Sequence, residues 1–152
     1  MKILITGSEG FIGKNIKKYL KKKGYKLISP AFRELDLRKS LAVKKFFTKN
    51  KDIDCIVNCA TTQQINKTYD DKVNEYNLRI FFNLINFKKK STKLINLGSG
   101  SEYSRNSWIK KMKENYFGLF IPNDSHSFSK YIQSDFIENS KDNNLYHLRL
   151  FG

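Results

Sequence analysis

At 152 residues, 39% hydrophobic and 14% aromatic, the chain is long enough for one domain with a real core and too short for two of ordinary size. No run approaches the roughly 18 to 20 apolar residues of a membrane-spanning helix, and the N-terminus enters the segment KILIT without a signal-peptide core, so the expected location is cytoplasmic. The formal charge of +15 invites a nucleic-acid partner, but the lysines are scattered as KNIKKYLKKKG, VKKFFTKNK, NFKKKSTK and WIKKMK over several helices and loops; they read as a solvated surface, and neither nucleic acid nor a membrane is the expected partner.

KILIT (2–6) is a short, β-branched apolar run that predicts a strand, and Ile12, Ile16, Tyr19 and Leu20 recur at helical spacing from Phe11 to Lys23 before Gly24 stops the helix. KLIS (26–29) predicts a second strand and ELDL (34–37) a short third. Ser40 is expected to cap a helix whose Leu41, Val43, Phe46 and Phe47 form its apolar side. DCIVNCA (54–60) predicts a fourth strand, buried on both faces. Its Cys55 and Cys59 share one side but stand too far apart along the strand for a disulfide, so they are core filler of the kind a reducing compartment permits. A long helix from about Asp71 to Lys88 leads into TKLINLGS (92–99), the fifth strand. Residues 100–124 form a long polar connection with Trp108 and the aromatic patch NYFGLF, and connections of such length in a compact domain are more often functional than idle. A helix over 125–139 and a strand LYHLRLF (145–151) follow. Strand and helix alternate throughout, which predicts an α/β fold with a doubly wound parallel sheet.

The first strand runs into TGSEGFIG, with Gly7, Gly10 and Gly13 three apart, and then into the first helix. Gly7 lets the chain turn at the strand end, Gly10 removes a side chain that would hold a diphosphate off the backbone N–H groups, and Gly13 lets the helix sit close on the strand. Three glycines alone are a weak signal; between a strand and a helix, with further alternating elements behind them, they predict dinucleotide-fold geometry.

TGSEGFIG, the strand end VNCAT (57–61), Asn77, LINLGSGSEY (94–103), FSKY (128–131) and LRLFG (148–152) together resemble the extended short-chain dehydrogenase/reductases, the NAD(P)-dependent epimerase/dehydratase group that acts on nucleotide sugars. The resemblance implies a Rossmann-type domain over 1–152. It implies that Gly7, Gly10, Phe11, Ile12 and Gly13 cradle the diphosphate, that Asp36 hydrogen-bonds the adenine, where a strand-end Asp can also merely cap a turn, and that Leu37, Asn58, Cys59, Ala60 and Asn77 line the cofactor. Ser99 takes the position of the catalytic Ser or Thr that polarises the sugar oxygen. Lys130 takes that of the lysine that holds the nicotinamide ribose. At the end of the second strand, SPAFRE offers Ser29 and Arg33 and no acid before Glu34; Arg33 favours a 2′-phosphate, and RELDL resembles the reductases of deoxysugar synthesis, so NADP is expected over NAD. No metal is expected.

Two departures qualify this expectation. The proton donor of the family is a Tyr four residues before the Lys, and that position holds His126. Imidazole titrates near 6.5, and a neighbouring ammonium lowers it, so His126 is expected to be mostly neutral at pH 7, a poor acid, with a ring too short to reach the phenol oxygen's place. Tyr131 and Tyr103 lie near enough in sequence to be recruited instead. Second, about half of each family member follows the LRLFG strand and carries the domain that grips the sugar nucleotide. The chain is therefore expected to be an N-terminal half, truncated before that substrate domain, which meets a nucleotide sugar only when a C-terminal half is supplied, with a partner chain or a homodimer covering the last strand. The rival expectation is a non-catalytic, dinucleotide-binding remnant or regulator.

Overall fold

The computed structural model describes residues 1–62, 68 and 70–151. Its strands are β1 (Lys2–Thr6), β2 (Lys26–Ile28), β3 (Cys55–Asn58), β4 (Lys93–Leu97) and β5 (Leu145–Leu148); its helices are α1 (Phe11–Lys22), α2 (Ser40–Lys49), α3 (Val73–Phe87) and α4 (Ser125–Glu138). These five strands pair in parallel, in the order β2-β1-β3-β4-β5. The expected α/β architecture is present, a doubly wound sheet of Rossmann type.

Strand alternation sorts the core into two layers. Leu4, Ile56, Leu94 and Leu145 face one side and pack with Val43 and Phe47 of α2 and Ile80, Phe81 and Leu84 of α3. Ile3, Ile5, Cys55 and Val57 face the other and pack under Ile16 and Leu20 of α1, where Cys59 joins the same cluster as Cys55. Both cysteines are free thiols. Burying each of the large side chains in these layers contributes roughly 1.5–3 kcal/mol. Toward β5 the α1 side of the sheet opens. Val57, Ile95 and Tyr146 stand in register, yet Tyr146 is 44% exposed and Leu148 50%.

Two local expectations fail for visible reasons. ELDL is a turn, not a strand: the N–H groups of Glu34 and Leu35 bond back to the Ala31 carbonyl, and the Asp36 carboxylate accepts from the Arg38 N–H and guanidinium. The segment thus satisfies its polar groups locally, while Leu35 and Leu37 anchor it in the core. Ser40 does not cap α2; the Lys39 carbonyl already accepts from Val43, so Ser40 is the first helical residue and its side chain makes no cap bond. The side-chain cap is found on α4, where Asp124 accepts from the Ser127 N–H at 2.9 Å. The 100–124 connection folds as three short 3₁₀ turns, Gly100–Tyr103, Arg105–Ser107 and Glu114–Tyr116. Gly152, the last residue of the LRLFG resemblance, lies outside the described residues.

Candidate dinucleotide-binding site

The sheet order reverses between β1 and β3, and in doubly wound sheets ligands bind in the crevice beyond the strand ends at such a point. Here the crevice is a cleft of about 920 Å³ lined by Thr6 through Gly13, the Leu35–Arg38 turn, Cys59 through Thr62, and Tyr76. Gly7 has φ +61°, and a Cβ on it would lie 2.6 Å from the Cys59 carbonyl oxygen. A Cβ on Gly13 would lie 2.3 Å from the Gly7 carbonyl oxygen. Gly10, the residue before α1, has nothing closer than 3.4 Å to its would-be Cβ, and no side chain caps the helix start, so the first amides of α1 face the cleft without a competing group. A diphosphate fits this cradle.

The sequence-derived residues divide into those on the cleft and those behind it. Gly7, Gly10, Phe11, Ile12, Gly13, Asp36, Leu37, Cys59 and Ala60 line it. Asn58 and Asn77 are buried supports rather than walls. Asn58 accepts from Thr6 and the Ala60 N–H, while Asn77 accepts from the Thr62 N–H at 2.8 Å and donates to Ser129 on α4. Arg33 is exposed and the guanidinium on the cleft wall is Arg38, gripped by both oxygens of Asp36 and held between the rings of Phe32 and Tyr76 at 5.0 and 4.7 Å. The hydrogen bond from Arg38 holds the Asp36 carboxyl below its usual range.

Ser99 follows β4 in extended conformation, and its Oγ accepts from the Ser101 N–H at 3.2 Å and the Ser101 hydroxyl at 3.0 Å. Lys130 is buried and donates to the Leu97 carbonyl at 3.1 Å; burial lowers its pKa to about 8, against the pull of Glu102 and Cys59. His126 is buried in the first turn of α4, with its pKa lowered to about 4. Burial is the larger cause, which the sequence reading did not include, and the Lys130 ammonium that it named is the second. Neither nearby tyrosine is a ready substitute. The Tyr103 hydroxyl donates to Glu114 and burial pushes its pKa up to about 12, while Tyr131 stacks on Phe117 at 5.0 Å.

A pH dependence follows. The folded value for His126 lies below the unfolded one near 6.5, so the unfolded chain binds the extra proton as pH falls. The stability that neutral His126 provides is complete above about pH 6.5 and drains between there and pH 4, by about 2 kcal/mol after solvent screening at the ring edge. Urea unfolding of His126→Gln across this range is expected to show a correspondingly flatter slope than the parent chain.

Sequence reasoning missed a row of polar side chains joining the strand ends. The Thr6 hydroxyl donates to Asn58 at 2.6 Å, the Asn58 amide to Asn96 at 2.7 Å, and the Asn96 amide to Gln133 at 3.0 Å and to His147 Nδ1 at 3.2 Å. With Nδ1 accepting, Nε2–H of His147 donates to Glu102 at 2.8 Å. The signal available was one of register: Thr6, Asn58, Asn96 and His147 pair side by side across four strands.

This geometry accords with known proteins. The model of the NAD dependent epimerase/dehydratase family matches residues 3–150. The chain belongs to that family. A GDP-L-colitose synthase of Yersinia pseudotuberculosis is 32% identical to this family member over 109 residues, 69% of this chain and 35% of the synthase. Among solved structures, a GDP-6-OMe-4-keto-L-xylo-heptose reductase from C. jejuni superposes with a TM-score of 0.84 at 27% identity, covering 99% of this chain and 46% of that one. A GDP-mannoheptose C4 reductase from Campylobacter jejuni, solved with NADP bound, gives 0.83 at 26%, covering 99% and 51%. This epimerase/dehydratase chain therefore spans about half the length of the solved relatives. Among its described residues no helix is long and apolar enough to cross a membrane.

Proposed function

We propose that the chain binds NADP(H) in the glycine-turn cleft in the cytoplasm and, joined to a polypeptide that supplies a sugar-binding half, works on a nucleotide sugar. The observation that carries this reading is the cradle: Gly7 and Gly13 are close-packed against backbone, Gly10 leaves the amides of α1 open, and the cleft sits at the switch point of the sheet. A GDP-linked sugar is the proposed substrate, supported by the relatives named for GDP sugars.

Bound NADPH would supply the hydride to the sugar carbonyl carbon. The chain's own groups divide the remaining work. Lys130 holds the nicotinamide ribose, the Ser99 hydroxyl donates to the sugar oxygen as negative charge gathers there, and His126 stands where a proton must be delivered. A ring that titrates near 4 is nearly all neutral at pH 7 and so has almost no proton to deliver in that step. That observation favours the second reading, a dinucleotide-binding remnant or regulator without turnover. Titrating the full chain with NADPH and NADH while following nicotinamide fluorescence tests both; no binding of either nucleotide would refute both.

Preference for NADP has support beside the cleft. Lys14, Lys17, Lys18 and Lys21 form one stripe on α1 and outnumber Glu9 and Glu34 around a cavity of about 580 Å³ that reaches Ser29 at the end of β2, where the adenosine ribose lies in dinucleotide folds. Exposed Arg33 follows on the next turn. The double change Lys14→Gln, Lys18→Gln is expected to weaken NADPH binding about tenfold through lost charge pairing and to leave NADH binding within about twofold. Equal loss for both nucleotides would show that the stripe does not read the 2′ position.

A further inference from the structure

Glu102 is fully buried although it is a carboxylate on a short turn. Its Oε1 accepts from the Ser99 N–H at 2.7 Å and from His147 at 2.8 Å, and its Oε2 pairs with Arg149 at 3.1 Å. Arg149 is itself braced by Ser134 at 2.7 Å, by Glu114 and Glu138, and by the rings of Tyr103 and Phe117. Two residues back along the same strand end, the Leu97 carbonyl accepts from the buried Lys130 ammonium. A buried carboxylate and a buried ammonium thus grip the chain on either side of Gly98. The grip leaves no space there: a Cβ on Gly98 would lie 2.2 Å from Glu102 Oε1 and 2.1 Å from His147 Nε2. An isolated buried charge is costly, and an opposite charge in the same interior lowers that cost even without direct contact; Lys130 holds the Leu97 carbonyl while Glu102 holds the Ser99 N–H two residues on, so the two charges share one short stretch of chain with no direct ion pair between them among the described residues.

We infer that Glu102 is a positioning residue of this site, whose carboxylate fixes the Ser99 turn and serves as the counter-charge that keeps Lys130 protonated inside the core. The inference rests on the roles given above to Ser99 and Lys130. The groups facing Lys130 are Glu102 from the turn after β4, Cys59 from the end of β3 and His126 from its own helix; burial disfavours the ammonium, Glu102 first and Cys59 second favour it, and the His126 ring is neutral beside it. His147 of β5 and Arg149 just after it bind the same carboxylate.

The test uses the full chain, labelled with ¹³C-lysine, with the Lys130 resonance assigned by Lys130→Met. Glu102→Gln keeps the shape and an acceptor for the Ser99 N–H but removes the charge. It is expected to lower the proton affinity of Lys130 about tenfold, moving its titration to lower pH, while the Ser99 amide resonance stays that of a bonded N–H. Glu102→Ala is expected to move both. An unchanged Lys130 titration in Glu102→Gln, with only a fall in melting temperature, would reduce Glu102 to a structural role and overturn the inference. Should Glu102→Gln fail to fold, the double change with Lys130→Met decides. Restored folding shows the coupling between the two charges, and continued failure to fold counts against it. None of these readouts needs a nucleotide, so a chain that binds no NADPH yet shows the Lys130 shift would sink the proposed function while leaving the coupling of Glu102 to Lys130 established.

Discussion

Gly13→Ala is expected to abolish binding of NADPH and NADH and to destabilise the fold by about 3 kcal/mol. The added methyl would sit 2.3 Å from the Gly7 carbonyl oxygen and 2.9 Å from the Ser8 Cα, all backbone atoms, so no side chain can swing aside to admit it. Overpacking a tight site commonly costs about 1–3 kcal/mol, and contact with backbone places this one at the upper end. The movement that would relieve the clash lifts α1 from the β1 turn, which spreads the amides that hold the diphosphate. Gly24→Ala is the matched control. Gly24 has φ +79° but nothing within 4 Å, so its change carries only the conformational penalty, about 1 kcal/mol, and should spare nucleotide binding. Urea denaturation and nicotinamide fluorescence on the two variants separate damage to the cradle from general loss of stability.

The second large effect concerns catalysis. In an assembly that includes a sugar-binding half, His126→Tyr is expected to raise turnover by on the order of 100-fold, within the range that a positioned general acid contributes. A buried imidazole with pKa near 4 offers almost no proton at pH 7, whereas a phenol four residues before Lys130 is fully protonated and its developing phenolate is stabilised by the ammonium. The groups around it are fixed by neighbours: Lys130 donates to the Leu97 carbonyl, Ser99 sits in its capped turn and Asn77 bridges to α4. The measurement is NADPH oxidation with a GDP-linked keto sugar, with pH varied from 6 to 9. A rate that is unchanged or lower refutes the assignment of His126 to the proton-donor position. Activity of both forms should fall as pH rises through about 8, where Lys130 loses its charge.

The parts of the molecule that were legible in sequence are those whose physics is local. KILIT carries its strand in its β-branched run, and TGSEGFIG carries its turn in glycines that only close backbone packing demands, so β1, the cradle and α1 could be read without a structure. ELDL misled because alternating leucines serve equally for a strand and for a turn pinned in the core. The choice was made by the contact of Asp36 with Arg38, two residues on. Arg33 and Arg38 are indistinguishable by composition; what selects Arg38 for the cleft wall is Tyr76 on α3, a neighbour that only the tertiary fold provides. Glu102 lay in view in GSEY as an apparently ordinary polar turn residue. Its partners His147 and Arg149 are more than forty positions away and reach it only because β5 pairs with β4.

The open side of the sheet gives the scattered lysines a purpose. Tyr146 and Leu148 are exposed beside a strand whose outer edge is paired by no other strand among the described residues, the kind of rim that zips copies of a chain together. A surplus of fifteen positive charges makes approaching copies repel over about 8 Å at physiological ionic strength, a reach that shrinks to roughly 3 Å in molar salt. The surplus charge is thus a source of repulsion between copies that salt weakens.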